Sequence, residues 1–200
     1  MYTTLPLTFL LGFYVSLVVR RWWEQYSLLP WPDSLALCLR CVMTEGGREQ
    51  TRILRRTVIR YCLLSYVLCI RRMSARLRRR FPTNQEIINT GLMRPDEAAR
   101  VGSEASRKIY DSNWWLPIKW ATEICYQAFQ EGHITTATDV TGAGWRLLSD
   151  IAAFRNSLGE VENYGHIPVP LVYTQVVTIA VYFYFAVTLI GEQWLLRRQM

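Results

Sequence analysis

Five cysteines, two histidines and a few neighbouring carboxylates are the side chains most able to do chemistry, and their spacing decides what each set can become. Cys38 and Cys41 form a C-x-x-C, the spacing of zinc and thiol redox sites, but no second pair follows and His133 and His166 stand far apart. The default for such thiols is a small buried residue on a helix. Cys38, Cys41, Cys62, Cys69 and Cys125 are odd in number, a poor disulfide framework, which implies a reducing compartment. Asp96 with Glu97, and Glu160 with Glu162, are acid-base pairs by proximity only. Asp96 and Glu97 directly follow Pro95, which suits the first turn of a helix, where the dipole favours negative charge. No G-x-x-x-x-G-K loop, H-E-x-x-H or G-x-S-x-G occurs, so the chain reads as no enzyme and no metal site is assigned to it.

Arginine dominates the charged residues. Residues 40–80 hold twelve arginines against Glu45 and Glu49, whereas residues 81–166 are net acidic by four, within an overall charge of +7. A basic block of this kind, with Arg76-Leu77-Arg78-Arg79-Arg80 at its end, has the look of a nucleic-acid or localisation signal. The interleaving favours another reading. Ile53, Leu54, Val58, Ile59, Leu63, Leu64, Val67 and Leu68 recur at helical spacing, which buries one face and leaves guanidiniums on the other. No nucleic-acid partner is expected.

Half of the 200 residues are hydrophobic, and two stretches lack charge altogether, residues 1–19 and residues 167–191. A bilayer core needs roughly 20 apolar residues as helix, so the second stretch is long enough to span. Tyr173, Tyr182, Tyr184 and Trp194 suit interfacial depths at its ends. The first stretch is no secretory signal, because no basic residue precedes Leu5 and Arg20 and Arg21 follow the apolar run. By the positive-inside rule those arginines mark its cytoplasmic end, with Met1 outside. The chain therefore divides into a membrane helix at 1–20, a cytosolic helical region at 21–166, a membrane segment at 167–191, and the start of an extracellular loop at 192–200.

These segments are helical, since apolar spacing is near 3.6 throughout and no alternating strand pattern stands out. Breakers set the joints. Leu29-Pro30-Trp31-Pro32 ends one helix, with Asp33 as the cap of a helix from Ser34. Gly46-Gly47 makes a turn, Pro82-Thr83-Asn84 starts a helix, and Gly91 to Pro95 interrupts again. Pro117, Gly132, and Gly142 with Gly144 mark later joints, and Pro168 and Pro170 open the last segment.

The residues themselves carry a resemblance. The run from Leu5-Pro6-Leu7-Thr8-Phe9 through Gly12-Phe13-Tyr14-Val15, then Arg21-Trp22-Trp23 and Leu29-Pro30-Trp31-Pro32-Asp33, resembles the bestrophin signature. The similarity continues through Arg55-Arg56-Thr57-Val58-Ile59-Arg60-Tyr61, Arg80-Phe81-Pro82-Thr83, Gly91-Leu92-Met93 and Asn113-Trp114-Trp115-Leu116-Pro117. It closes on Pro168-Val169-Pro170-Leu171-Val172-Tyr173-Thr174-Gln175. Arg21, Trp22, Trp23, Trp31, Pro32, Asp33, Pro170 and Tyr173 are the structural positions of that match.

The resemblance implies an all-α fold, a bestrophin-like channel protomer with transmembrane helices and a cytosolic helical bundle. It implies a multi-pass plasma-membrane channel, a homo-pentamer in the lipid bilayer that passes chloride and other small anions and is opened by calcium. Family members carry a further membrane helix before the position of Met1, and a membrane segment and an acidic calcium-binding cluster after that of Met200. The chain is accordingly expected to be an internal fragment, without a calcium site or other cofactor of its own. A non-conducting membrane subunit that binds a full-length pentamer is the alternative function. Leu5, Phe9 and Phe13 match the family's hydrophobic neck, and their spacing keeps them on one helix face, so that five copies stack as three apolar rings. Phenylalanine edges carry partial positive charge that favours a partly dehydrated anion, and apolar constrictions gate by dewetting. A second, cytosolic aperture falls near Ile151 by the same carry-over, with core packing against Ala152 or Phe154 as the competing explanation.

Overall fold

The computed structural model describes residues 7–43, 49–102, 113–133 and 140–198, with the backbone alone for 140, 141 and 192–198. All regular elements among them are helical: α1 Leu7–Ser27, α2 Pro32–Val42, α3 Glu49–Met73, α4 Ala75–Arg80, α5 Asn84–Asn89, α6 Pro95–Val101, a 3-10 turn at Asn113–Trp115, α7 Leu116–Gln130, α8 Val140–His166 and α9 Leu171–Arg198. They fall into two units, one of residues Leu28–Gly165 and one made of Met1–Ser27 with His166–Met200.

The larger unit is organised on α3. Its 25 residues contain no glycine or proline, Glu49 occupies the first turn and Arg71 and Arg72 the last, the charge order that suits the helix dipole. Buried Thr51, Val58, Cys62, Ser65 and Cys69 follow one another by seven, four, three and four residues, a single continuous stripe. On α7 the buried stripe is Ile118, Ala121, Cys125 and Ala128, and on α8 it is Leu147, Ile151, Phe154, Leu158 and Val161. The small side chains among these let helix axes approach closely. Leu35 and Leu39 of α2, Ile87 of α5, Met93 and Trp114 complete one apolar core.

Local chemistry sets the joints, sometimes differently from expectation. The N-cap of α2 is Trp31, whose carbonyl accepts from Ser34 Oγ at 2.9 Å, with Pro32 in the first turn. Asp33 is thus inside the helix and not its cap, because proline's fixed φ starts the helix one residue earlier. Gly142 and Gly144 are no joint either, since both lie within α8. A Cβ at Gly144 would sit 3.0 Å from the Phe129 ring, so this glycine permits α8 to pack on α7. The Gly46-Gly47 turn lies outside the described residues. Thr83 precedes α5 and its N–H donates to Glu86 Oε2 at 3.4 Å. The end of α7 is closed at Gly132, at φ 74°, whose N–H donates to Phe129 O at 3.3 Å while the His133 N–H donates to Ala128 O at 2.9 Å.

In the smaller unit, α1 turns Leu7, Leu10, Leu11, Tyr14, Arg21, Glu24 and Gln25, its only partly covered positions, along one side, and it packs on α9. Tyr14 Oη and Thr174 Oγ1 are 3.3 Å apart across that seam. One described helix segment, Leu171–Gly191, is long and apolar enough to cross a membrane, with mean hydropathy 1.7. The described part of α1 offers only residues 7–19 before Arg20, about 20 Å of helix. α1 continues past Arg20 to Ser27, and the backbone of residues 192–198 continues α9, no glycine or proline interrupting Glu192 to Arg198.

The cap of α7 makes a test. An L side chain at φ 74° costs about 1 kcal/mol or more. Gly132→Ala should lower the thermal unfolding midpoint of the detergent-solubilised chain, followed by circular dichroism at the helix band. Gly132→Asn should recover part of the loss, since asparagine tolerates the left-handed region. An unchanged midpoint in the alanine variant would show that this cap contributes nothing.

Candidate pore helix and the arginine network

Phe9 and Phe13 come from adjacent turns of α1, and their rings meet at a centroid distance of 5.4 Å, tilted by 58°. They are 66% and 69% exposed, on the side of α1 opposite the Leu7, Leu11 and Tyr14 stripe that packs on α9. Leu5 lies outside the described residues. Beyond the apolar turns, Arg20 Nε donates to Glu24 Oε1 at 2.8 Å, and the Arg21 guanidinium donates to the carbonyl of Ile167, holding the start of the 167–170 connection to α1. Trp22, Trp23 and Tyr26 form an exposed aromatic group with centroids 5.8 to 6.1 Å apart. Such amphipathic rings beside arginines suit the headgroup depth of a bilayer. Pro170 O accepts from the Tyr173 N–H at 3.1 Å, opening α9, and the Tyr173 ring is exposed.

Ile151 is 1% exposed, between Leu147 and Phe154 on the buried stripe of α8. In this chain it is a core residue, as the competing explanation has it. Trp31, by contrast, is exposed beside a cavity of about 290 Å³ lined by Pro30, Ser34, Leu35, Asp150 and Phe154.

The arrangement that sequence reasoning missed lies around Glu97. This carboxylate is buried, yet it takes two parallel bonds of 2.7 Å from Arg60 Nη1 and Nη2, one of 3.0 Å from Tyr61 Oη and one of 2.9 Å from the Arg94 N–H. Arg60 Nη1 also donates to Leu92 O at 3.0 Å, its guanidinium lies 4.5 Å from the Tyr61 ring centre, and that ring meets Trp120 edge-on at 5.4 Å. Burial alone would push the Glu97 carboxyl up, but the bonds from Arg60, Arg94 and Tyr61, with the Arg60 charge, outweigh it and hold it below its ordinary value. The bond to Glu97 raises Arg60 further, against the opposing pull of burial. The local half of this site is readable, since Pro95-Asp96-Glu97 places a carboxylate where it can cap its own helix. Arg60 is in another helix, and nothing in the sequence selects it from the other arginines.

Glu162 is the second such carboxylate. It accepts from Arg72 Nη1 at 2.5 Å and from Trp114 Nε1 at 2.6 Å, and Glu160 is exposed, so the two glutamates form no acid-base pair. Cys62, Cys69 and Cys125 are buried thiols pushed up to about 12 by burial, hence neutral packing groups. Cys38 is pushed up to about 11, first by burial and then by Asp150, while Cys41 is exposed.

A span-length apolar helix, a second helix packed along it and an arginine-rich helical unit define a helical membrane protein. A family model described as bestrophin, RFP-TM, chloride channel matches residues 1–200. Bestrophin-1 of Sus scrofa is 40% identical over 191 residues, 96% of this chain and 32% of that protein. Bestrophin-2 of Mus musculus is likewise 40% identical over 96% of the chain and 36% of its own length, and bestrophin homolog 24 of Caenorhabditis elegans is 36% identical over 95% and 29%. The chain belongs to the bestrophin family, and it spans about a third of the length of the curated relatives it matches.

The Glu97 network predicts both a mutational and a pH response. Glu97→Ala strands the Arg60 guanidinium and should cost about 3–5 kcal/mol, whereas Arg60→Met with Glu97→Leu should recover most of it. Because the folded carboxyl lies below its unfolded value, its stabilisation is complete above the unfolded value, near 4.3, and is lost as pH falls through the folded one. The difference in urea midpoint between the natural chain and Glu97→Gln should therefore shrink below about pH 4. A gap that stays constant to pH 3 would exclude the ionised pair as its source.

Proposed function

We propose that this chain is a subunit of a plasma-membrane anion channel that conducts chloride passively under calcium control, with α1 lining the pore. The observation that carries the reading is the exposure of Phe9 and Phe13 on the face of α1 that α9 leaves uncovered. Two large aromatic side chains on a helix already packed along its other side need a second environment, and a ring of copies about a common axis supplies one. Leu5, four residues earlier in sequence, continues the same i, i+4 pattern. Five copies would then present stacked apolar rings, with the ring edges toward a permeating anion. The barrier is to wetting, and widening it removes the gate.

Calcium control and pentameric assembly are expectations of the family resemblance. The role of the chain itself is permeation without catalysis. Residues 28–165 face the cytosol in this reading, since arginines gather between the two apolar helices.

Replacing Leu5, Phe9 and Phe13 together by alanine, in a full-length protein carrying this segment, should yield patch-clamp current that no longer depends on internal calcium. Anion-over-cation preference should persist, because the wider field of the protein is untouched. Normal surface expression with unaltered calcium gating would remove these residues from the gate. Topology is tested separately at Cys41, the exposed cysteine, with half-buried Cys38 replaced by serine so that only buried thiols remain beside it. An impermeant thiol reagent should label Cys41 only after permeabilisation. Equal labelling of intact cells would place this unit outside.

A further inference from the structure

Most arginines of α3 are turned into the protein. Arg55 donates to the Met43 carbonyl, Arg60 to Glu97, Arg71 to Asn84 Oδ1 at 3.0 Å and Arg72 to Glu162. The arginines of α4 behave differently. Arg76, Arg79 and Arg80 are exposed, they follow at i, i+3 and i+4 on one face, and no described acid pairs with them. Their helix is fixed from beneath. Ser74 Oγ accepts from the Leu77 N–H at 3.4 Å, Leu77 and buried Phe81 pack on the core, and the Arg80 guanidinium is 5.7 Å from the Phe81 ring centre. Three guanidiniums are thus held on a short helix anchored to the core, and no described acid answers their charge.

Chain connectivity limits how far the chain runs from that platform's surroundings to the apolar span. The end of α3 runs beside the end of α8: Cys69 Sγ donates to Leu158 O at 3.5 Å, Arg72 pairs with Glu162, and a Cβ at Gly165 would meet Met73 at 3.1 Å. α4 begins two residues after Met73, and α8 ends one residue after Gly165. From Gly165 the chain reaches Leu171, the first residue of the apolar span, within about 20 Å even when fully extended.

We propose that Arg76, Arg79 and Arg80 form a binding site for the anionic phosphate headgroups of the bilayer leaflet at which α9 begins. This rests on the reading of α9 as a membrane helix. Guanidiniums hold phosphate oxygens in paired hydrogen bonds, and basic side chains beside a membrane segment attract acidic lipids. A nucleic acid fits less well, because its backbone needs a longer basic track and the arginines of α3 that would extend this one are occupied.

The test uses the full chain in detergent, titrated with short-chain phosphatidylserine and read by native mass spectrometry as bound lipid. The variant R76Q/R79Q/R80Q should lose affinity roughly tenfold or more, each arginine at a membrane surface being worth a factor of about five. A control of equal charge, R56Q/R100Q/R155Q, alters exposed arginines elsewhere and should stay within about twofold of the natural chain. Unchanged binding in the α4 variant, or equal loss in both variants, would overturn the proposal. Inorganic phosphate that displaces the lipid at equal concentration would show a free-anion site instead, and a short RNA bound more tightly than the lipid and lost in the same variant would assign the patch to nucleic acid; either result overturns it. Alkaline carbonate extraction of cell membranes scores the underlying reading by itself. Release of the chain removes the membrane and the lipid site together, whereas retention with failed lipid binding removes the lipid site alone.

Discussion

A buried carboxylate must be answered, and the answer half-buried Arg60 gives to Glu97 organises the larger unit. Arg60 stands in the middle of α3, on the helix that brings Val58, Cys62, Leu64, Leu68 and Cys69 into the core, where a charge without a partner would cost several kcal/mol. Its bidentate bond reaches α6, and its third bond fixes the Leu92 carbonyl in the α5–α6 connection. Tyr61 closes the network from the neighbouring position and passes the contact on to Trp120 of α7. One charge pair thereby sets α5, α6 and α7 around α3. The other face of the carboxylate caps its own helix, so every strong acceptor site on Glu97 is used.

The same rule separates structural from available charge. Arg72 is answered by Glu162, which also takes the Trp114 indole, so the end of α3, the turn before α7 and the end of α8 meet in one polar knot. The buried cysteines stay neutral and pack as small apolar groups. In the smaller unit the requirement is reversed, because α9 is apolar around its circumference and α1 covers one side of it. Backbone polarity is met inside each helix, the condition for a segment to sit in lipid.

Helix content, the apolar span, the arginine block and the family were legible in the sequence because each is written in neighbouring residues. A 25-residue run without charge, apolar spacing near 3.6, Pro95 ahead of two acids, and the Leu5-Pro6 and Pro168-Val169-Pro170 motifs are local patterns. So is the common face of Phe9 and Phe13, which follows from helical geometry once the helix exists. Asp33 shows the limit of local signals, since a capping residue after a proline competes with the proline itself, and the proline won.

What only the tertiary structure decided concerns partners far apart in the chain. Gly144 reads as a joint until Phe129 is found against it, and Ile151 reads as an aperture residue until α8 turns it into the core. Glu97 could have faced water like Asp96 beside it, and Arg60 could have joined the exposed arginines of α4. The physical reason is that a helix's sequence fixes which residues share a face, whereas the identity of what that face meets depends on packing between helices, where side-chain volume and the cost of an unanswered buried charge select one arrangement.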